Sequence, residues 1–214
     1  MLGIVFTGGE SPSSSVIRGL LDGKEIFAVA ADSGLVAAEE AGIKPALVIG
    51  DMDSIDASRL SAYPPQSVMR YKHDKDYTDT ELALREVIKK GCDEIWVIGG
   101  GGGRIDHLFG IRSLFERAVF PRRWITGSED IFCIDANTEQ KTLSMKLRSG
   151  APVSVFPLGN APWEAESAGL KWPLAGLKWD RGFFGLSNVA PDGNFSITAQ
   201  AGRFMVILPL REVF

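Results

Sequence analysis

Cysteine and histidine are scarce in this 214-residue chain, which has two of each. Cys92 and Cys133 lie far apart and outside any Cys-x-x-Cys pair, so no disulfide framework is expected and a reducing cytoplasm fits. His73 and His107 are too few for a histidine-rich zinc centre. No apolar run approaches the ~18 residues of a membrane span. The N-terminus lacks a basic region followed by an apolar core, so no secretory signal is expected. There is no basic excess either: the net charge of -4 gives no electrostatic footprint for nucleic acid. Internal repeats and low-complexity tails are also missing. What is present is ordinary for a globular protein, 45% apolar and 23% charged, and long enough for one large or two small domains.

The first part of the chain alternates short apolar runs with helical patterns. Strands are predicted at Gly3–Phe6, Glu25–Ala31, Ala46–Ile49, Ser67–Tyr71 and Glu94–Ile98, and helices at Ser14–Leu21, Leu35–Ala41 and Ala57–Ala62. The strongest helix signal runs Thr80–Lys90, with Ala83, Leu84, Val87 and Ile88 on one stripe and Gly91 at its end. Another helix is predicted over Asp106–Val119, with Leu108, Ile111, Phe115 and Ala118 inward and Asp106 available as its cap. Such alternation predicts a parallel sheet covered by helices. After Trp124 no long helical stripe remains, and Val153–Phe156, Asn194–Ala199 and Phe204–Leu208 read as strands. The expectation is an α/β domain over residues 1–128 followed by an all-β domain over 129–214.

Every unusual cluster of the first part falls just after a predicted strand, where ligands of such sheets bind. These are Thr7-Gly8-Gly9, Asp32-Ser33-Gly34, Gly50-Asp51-Met52-Asp53-Ser54 and Gly99–Arg104. Asp51 and Asp53, if extended, project to one face with roots roughly 7 Å apart. Oxygen donors in that arrangement suit Mg²⁺, which takes substrate phosphates as further ligands. The alternative is an ordinary turn. The five glycines Gly99–Gly103, followed by Arg104 and a helix start, suit an anion that backbone amides and a guanidinium grip; the alternative is a flexible loop. It is not a P-loop, since no Lys-Ser/Thr follows. In Asp74–Glu81, Thr78 and Glu81 read as a capping box, which leaves Asp76 and Asp79 unexplained and available to a metal site. His107 reads as a helix-surface or packing residue. Carboxylates for a metal beside donors for phosphate are what phosphoryl-type transfer needs.

These motifs, in this order, resemble the thiamin pyrophosphokinase family. The carrying residues are Asp32-Ser33-Gly34, Gly50–Ser54, Asp76-Tyr77-Thr78-Asp79 with Glu81–Leu84, Gly102–His107, and later Gly169–Leu174 and Gly185–Asn188. The resemblance implies a Rossmann-like α/β domain followed by a β-sandwich, assembled as a cytoplasmic homodimer. It implies transfer of diphosphate from ATP to thiamine, with Mg²⁺, giving thiamine diphosphate and AMP. It assigns Asp51, Asp53 and Asp79 to the metal and the reaction, and Arg104 to the reaction and the nucleotide. It assigns Asp32, Gly34, Gly102, Gly103, Asp106 and His107 to the nucleotide. Asp76, Thr78, Asp79, Trp172, Ser187 and Asn188 are assigned to the substrate. Trp172 and Trp179 can stack on a flat ring, though a core position suits Trp179 better, and Ser187-Asn188 also fits an ordinary turn. Two other readings stay open: diphosphate transfer to another hydroxymethyl heterocycle such as a pterin, and a non-enzymatic nucleotide sensor.

Overall fold

The computed structural model describes residues 1–72 and 74–210, so His73 lies outside the described residues. Two compact units are present, the first running Met1–Ser128 and the second beginning at Glu129.

The first unit places strands β1 (Leu2–Thr7), β2 (Ile26–Ala31), β3 (Leu47–Gly50), β4 (Val68–Arg70), β5 (Glu94–Gly99) and β6 (Arg123–Ile125) among five helices. The helices are α1 (Ser14–Leu21), α2 (Gly34–Glu40), α3 (Ala57–Leu60), α4 (Asp79–Lys89) and α5 (Ile105–Leu114). The order across the sheet is β6-β5-β1-β2-β3-β4, and each neighbouring pair in it is parallel. The central strands are buried on both faces, as Ile4, Val5, Phe6, Val29, Ile49, Val97 and Ile98 show, which is why they read as continuous apolar runs. Leu35, Leu84, Leu114 and Phe115 come from the helices to meet them. Each such side chain contributes about 1.5–3 kcal/mol by leaving water. The chain steps from β1 outward to β4, then returns to the other flank of β1 as β5. That reversal opens a crevice beyond the carboxyl ends of β1 and β5.

The alternation is therefore as expected, with shifts in detail. In α1 the buried stripe is Val16, Ile17 and Leu21, and in α4 Leu82 is buried while Ile88 is half-buried. The capping box is present: Thr78 Oγ1 accepts from Glu81 N at 3.2 Å, and Glu81 Oε2 accepts from Thr78 N at 2.9 Å. Helix α5 is a correction. It stops at Leu114 and leaves Ala118 exposed, because the next turn tightens into i→i−3 bonds, Phe115 N to Arg112 O and Glu116 N to Ser113 O. Nor does Asp106 cap it; the cap position is Arg104, and Asp106 sits in the first turn.

The second unit contains strands only among its described elements: β7 (Glu129–Asp135), β8 (Thr142–Lys146), β9 (Ala151–Leu158), β10 (Glu164–Ala168), β11 (Gly185–Ala190), β12 (Asn194–Ala201) and β13 (Arg203–Pro209). Antiparallel pairing runs β11-β9-β13-β7, and a separate antiparallel trio runs β10-β12-β8. Strand β12 alternates as its sequence predicts, with Phe195, Ile197 and Ala199 buried. Those residues join Val153, Val155, Phe204, Val206 and Trp179 in one core. Trp179 meets Phe204 edge-on at 5.1 Å, so it is a core residue. Among the described residues no helix is long and apolar enough to cross a membrane.

Candidate active site

The crevice is built by strand ends that approach one another unusually closely. Asp32 follows β2 in the left-handed region, with φ of 48°. Its N–H donates to Ile49 O at 2.8 Å, which holds the end of β2 beside that of β3. Gly50 permits the approach, since a Cβ there would stand 3.3 Å from the Cβ of Asp32. Beyond Gly50 the chain turns. Met52 is buried and also left-handed, with φ of 67°, and Asp53 N donates to Asp51 Oδ1 at 3.2 Å. The two aspartates are thus brought together by a turn and not, as expected, by strand alternation. Two non-glycine residues in this strained region, at one locus, mark a site that the surrounding structure enforces.

Asp32, Asp51 and Asp53 each offer a carboxylate oxygen within 4.8 Å of the others. Asp32 Oδ1 is buried without a hydrogen-bond partner among the described residues. A buried carboxylate oxygen left so is costly unless something positive meets it. An all-oxygen donor set of this size suits a hard divalent cation such as Mg²⁺. Sequence reasoning put Asp79 in the metal set with Asp51 and Asp53. The structure gathers Asp32 with them instead, and Asp79 is not in that group.

Asp79 does line the same cavity, of about 660 Å³, together with Asp32, Asp51, Asp76, Thr78, Gly102, Gly103, Arg104, Asp106 and His107. That volume lies in the ~300–1,000 Å³ range of small-molecule sites. Asp79 is the first residue of α4, where the helix dipole favours a negative charge, and its Oδ1 lies 2.9 Å from Lys75 Nζ. Thr80 Oγ1 bonds Thr7 Oγ1 at 2.7 Å, which ties the start of α4 to the end of β1. Behind them Glu81 is gripped by Arg117. Burial alone would push the Glu81 carboxyl up, but the bonds from Thr78 and Arg117 outweigh it and hold it below its ordinary range.

The glycine run is not a free loop. Gly100 N donates to Gly8 O at 2.9 Å, and Glu10 N donates to Gly101 O at 2.7 Å, so the loops after β1 and β5 are sewn together. A Cβ on Gly99 would meet Thr7 O at 2.2 Å. Gly103, by contrast, faces open space. Arg104 forks onto Asp106 through Nε at 3.1 Å and Nη2 at 2.5 Å, and these bonds hold the Asp106 carboxyl below its ordinary range. His107 is exposed on the cavity wall. Gly34 is different from its assigned role: it is buried, and a Cβ there would meet Phe6 O at 2.4 Å. It serves close packing of α2 on β1, not contact with the cavity.

Trp172, Ser187 and Asn188 lie in the second unit. Trp172 is 53% exposed, with Lys171 Nζ 4.4 Å from its ring centroid. Asn188 is buried and its amide is engaged: Oδ1 accepts from Trp172 N and Val189 N, and Nδ2 donates to Trp172 O at 2.6 Å. It shapes the loop that presents Trp172, engaging its oxygen and one of its two amide hydrogens there. Ser187 has φ of 54° and its N–H donates to Ser154 Oγ. Sequence reasoning missed Lys75 and Thr80, and marked Thr7 only as part of the cluster that follows the first strand. Lys75 had one available signal, its i,i+4 spacing to Asp79.

The chain is similar to known proteins in sequence and in fold. A family model described as "Thiamin pyrophosphokinase, catalytic domain" matches residues 20–125, a span that includes Asp32, Asp51, Asp53, Asp79 and Arg104. The chain is 32% identical over 118 residues to a thiamine pyrophosphokinase of Bacillus subtilis (strain 168), and the match covers 54% of each chain. The matched stretch thus spans about half the length of that curated relative. A crystal structure of thiamine pyrophosphokinase from Bacillus subtilis superposes with a TM-score of 0.78 at 25% identity, covering 99% of both chains. A structure from Candida albicans, at 14% identity, shares the fold with a TM-score of 0.71 over 98% of this chain and 89% of that one. Family model, curated relative and whole-chain fold all make this chain similar to the thiamin pyrophosphokinases.

Proposed function

We propose that this chain is an ATP-dependent thiamine diphosphokinase. The thiamine hydroxyl oxygen bonds to the β-phosphorus of ATP, and the bond from that phosphorus to the α–β bridging oxygen breaks. The bonding pair leaves with AMP, the hydroxyl proton is released, and thiamine diphosphate forms. The observation that carries this reading is the grouping of Asp32, Asp51 and Asp53, the first two of which line the same cavity as the glycine loop and Arg104.

Asp32, Asp51 and Asp53 would hold Mg²⁺, and Asp79 would meet the metal and diphosphate from the α4 side. When bound, Mg²⁺ neutralises charge on the non-bridging oxygens of the phosphates. The chain supplies the rest. Backbone amides at Gly102, Gly103 and the start of α5 suit nucleotide phosphates, as does the Arg104 fork. Asp106 holds that fork ready, and His107 adds a donor beside it. Asp76 and Thr78 flank the acceptor end. Gly34 acts indirectly, by letting α2 sit close enough for Asp32 to reach the site.

We read the two units as a Rossmann-like domain followed by a β-sandwich, in a cytoplasmic homodimer. Support for a dimer comes from the apolar surface at Trp172, Phe183, Phe184 and Leu186, each more than 40% exposed. Support for the cytoplasm comes from Cys92 and Cys133, which form no disulfide with each other. Trp172 is the ring we assign to thiamine, with Ser187 beside it and Asn188 as its scaffold.

The test is incubation with ATP, Mg²⁺ and thiamine, followed by chromatography of nucleotides and thiamine species. AMP and thiamine diphosphate in equal amounts are expected. ADP as the only nucleotide product would overturn the reading. AMP with a phosphorylated pterin alcohol, and no thiamine product, would move the acceptor to another heterocycle.

A further inference from the structure

Lys75 has no role in the chemistry described so far, yet its position is unusual. Its side chain is only 15% exposed, and Nζ lies 2.9 Å from Asp79 Oδ1, whose side chain is 22% exposed. The start of α4 does not need it. Thr78 and Glu81 already cap that helix, and a cation near a helix N-terminus opposes the dipole. Losing hydration and pinning a long side chain both cost free energy, and an i,i+4 ion pair returns only about 0.3–0.5 kcal/mol. Helix stability alone is therefore a poor reason for this lysine.

The cavity wall supplies a better one. It carries five carboxylates, Asp32, Asp51, Asp76, Asp79 and Asp106, against two fixed cations, Lys75 and Arg104. Arg104 is 75% exposed and already forked onto Asp106. Lys75 is the better-buried cation, and it sits on the acidic side, where desolvation makes a charge most effective. Its stem is flexible and its ammonium has three rotatable donors.

We infer that Lys75 is a catalytic residue: it leaves Asp79 when the metal-bound polyphosphate arrives and donates to non-bridging oxygens of the transferred diphosphate. This inference rests on the reading of the cavity as a polyphosphate site. No proton is transferred; the ammonium stays charged and stabilises the charge that builds on those oxygens as the bond to AMP breaks. Asp79 is released from its ion pair in the same movement, free to turn toward the metal-bound ligand.

The experiment compares wild type with Lys75→Gln and Lys75→Met, the second keeping the buried stem without the charge. Binding of magnesium diphosphate is measured by calorimetry, beside steady-state kinetics and thermal melting. Loss of one such donor is expected to lower kcat by ~10²–10³-fold with the thiamine KM nearly unchanged. Diphosphate affinity is expected to fall about tenfold in both variants, and Lys75→Arg is expected to recover part of it. Unchanged diphosphate affinity in either folded variant overturns the inference and leaves Lys75 as the partner of Asp79 alone. If wild type forms no thiamine diphosphate, the proposed reaction fails, while the diphosphate titration still decides for or against Lys75.

Discussion

Asp32 and Asp79 open on one cavity, but they are held in different ways. Asp79 begins a capped helix with an ammonium beside it. Asp32 sits on strained backbone with a buried oxygen that no described group satisfies. The second arrangement is costly without a cation and favourable with one. Asp32→Asn tests this cleanly, because asparagine tolerates left-handed backbone and removes only the charge. We expect at least ~10-fold weaker Mn²⁺ or Mg²⁺ binding by calorimetry, with a metal-free melting temperature no lower than that of wild type. Metal affinity equal to that of wild type would remove Asp32 from the site. At this scale the sequence exposed the aspartates but not their grouping. Asp51 and Asp53 declare themselves by spacing, whereas Asp32 comes from a different strand end and joins them through the pairing of β2 with β3, which the Asp32 N–H to Ile49 O bond extends.

Among elements, the glycines separate into two kinds. Gly34 and Gly99 hold packed strand and helix ends together, where a Cβ would strike backbone at 2.4 and 2.2 Å. Gly103 has open space, although its φ of 65° still disfavours a side chain. Gly34→Ala should therefore lose about 3 kcal/mol or more, or fail to fold, since neither backbone can give way. Gly103→Ala should lose only about 1 kcal/mol. Urea titration of both distinguishes these outcomes, and equal losses would contradict the packing account. In the sequence the five glycines of Gly99–Gly103 look alike. Their roles differ because only the returning loop at Gly8–Glu10 decides which of them is enclosed. Helix identities were legible because apolar periodicity is local; the end of α5 was not, because its last turn is remade where Arg117 reaches back to Glu81.

At the scale of the molecule, acid stability should depend on two well-bonded carboxylates, half-buried Glu81 in the first unit and buried Asp135 in the second. Glu81 is held by Thr78 and Arg117, and Asp135 by Asn137 and Arg203, whose Nε lies 2.8 Å from Asp135 Oδ2. Burial pushes both carboxyls up, yet the hydrogen bonds prevail and both stand below their ordinary range. A group whose folded pKa is depressed adds stability above its unfolded value and loses it as pH falls through the folded one. The melting temperature should thus be level near neutrality and fall below about pH 4, where unfolded Asp and Glu take up protons. Glu81→Gln and Asp135→Asn should each melt lower at pH 7 and flatten the acid limb. An unaltered acid limb in both variants would show that other carboxylates control it.

The order of strands and helices from β1 to α5, the change from alternating elements to strands alone, and the acidic and glycine-rich motifs at strand ends were determined by the sequence itself. Each depends on neighbours within a few residues: apolar period, capping pairs, turn residues. Tertiary structure decided what lies opposite what. It placed Asp32 with Asp51 and Asp53, buried Gly34 beneath the site, spent the Asn188 amide on the loop of Trp172, and set Lys75 against Asp79. Strand ends separated by tens of residues meet only because the parallel sheet carries them to one edge, and no local pattern encodes that meeting.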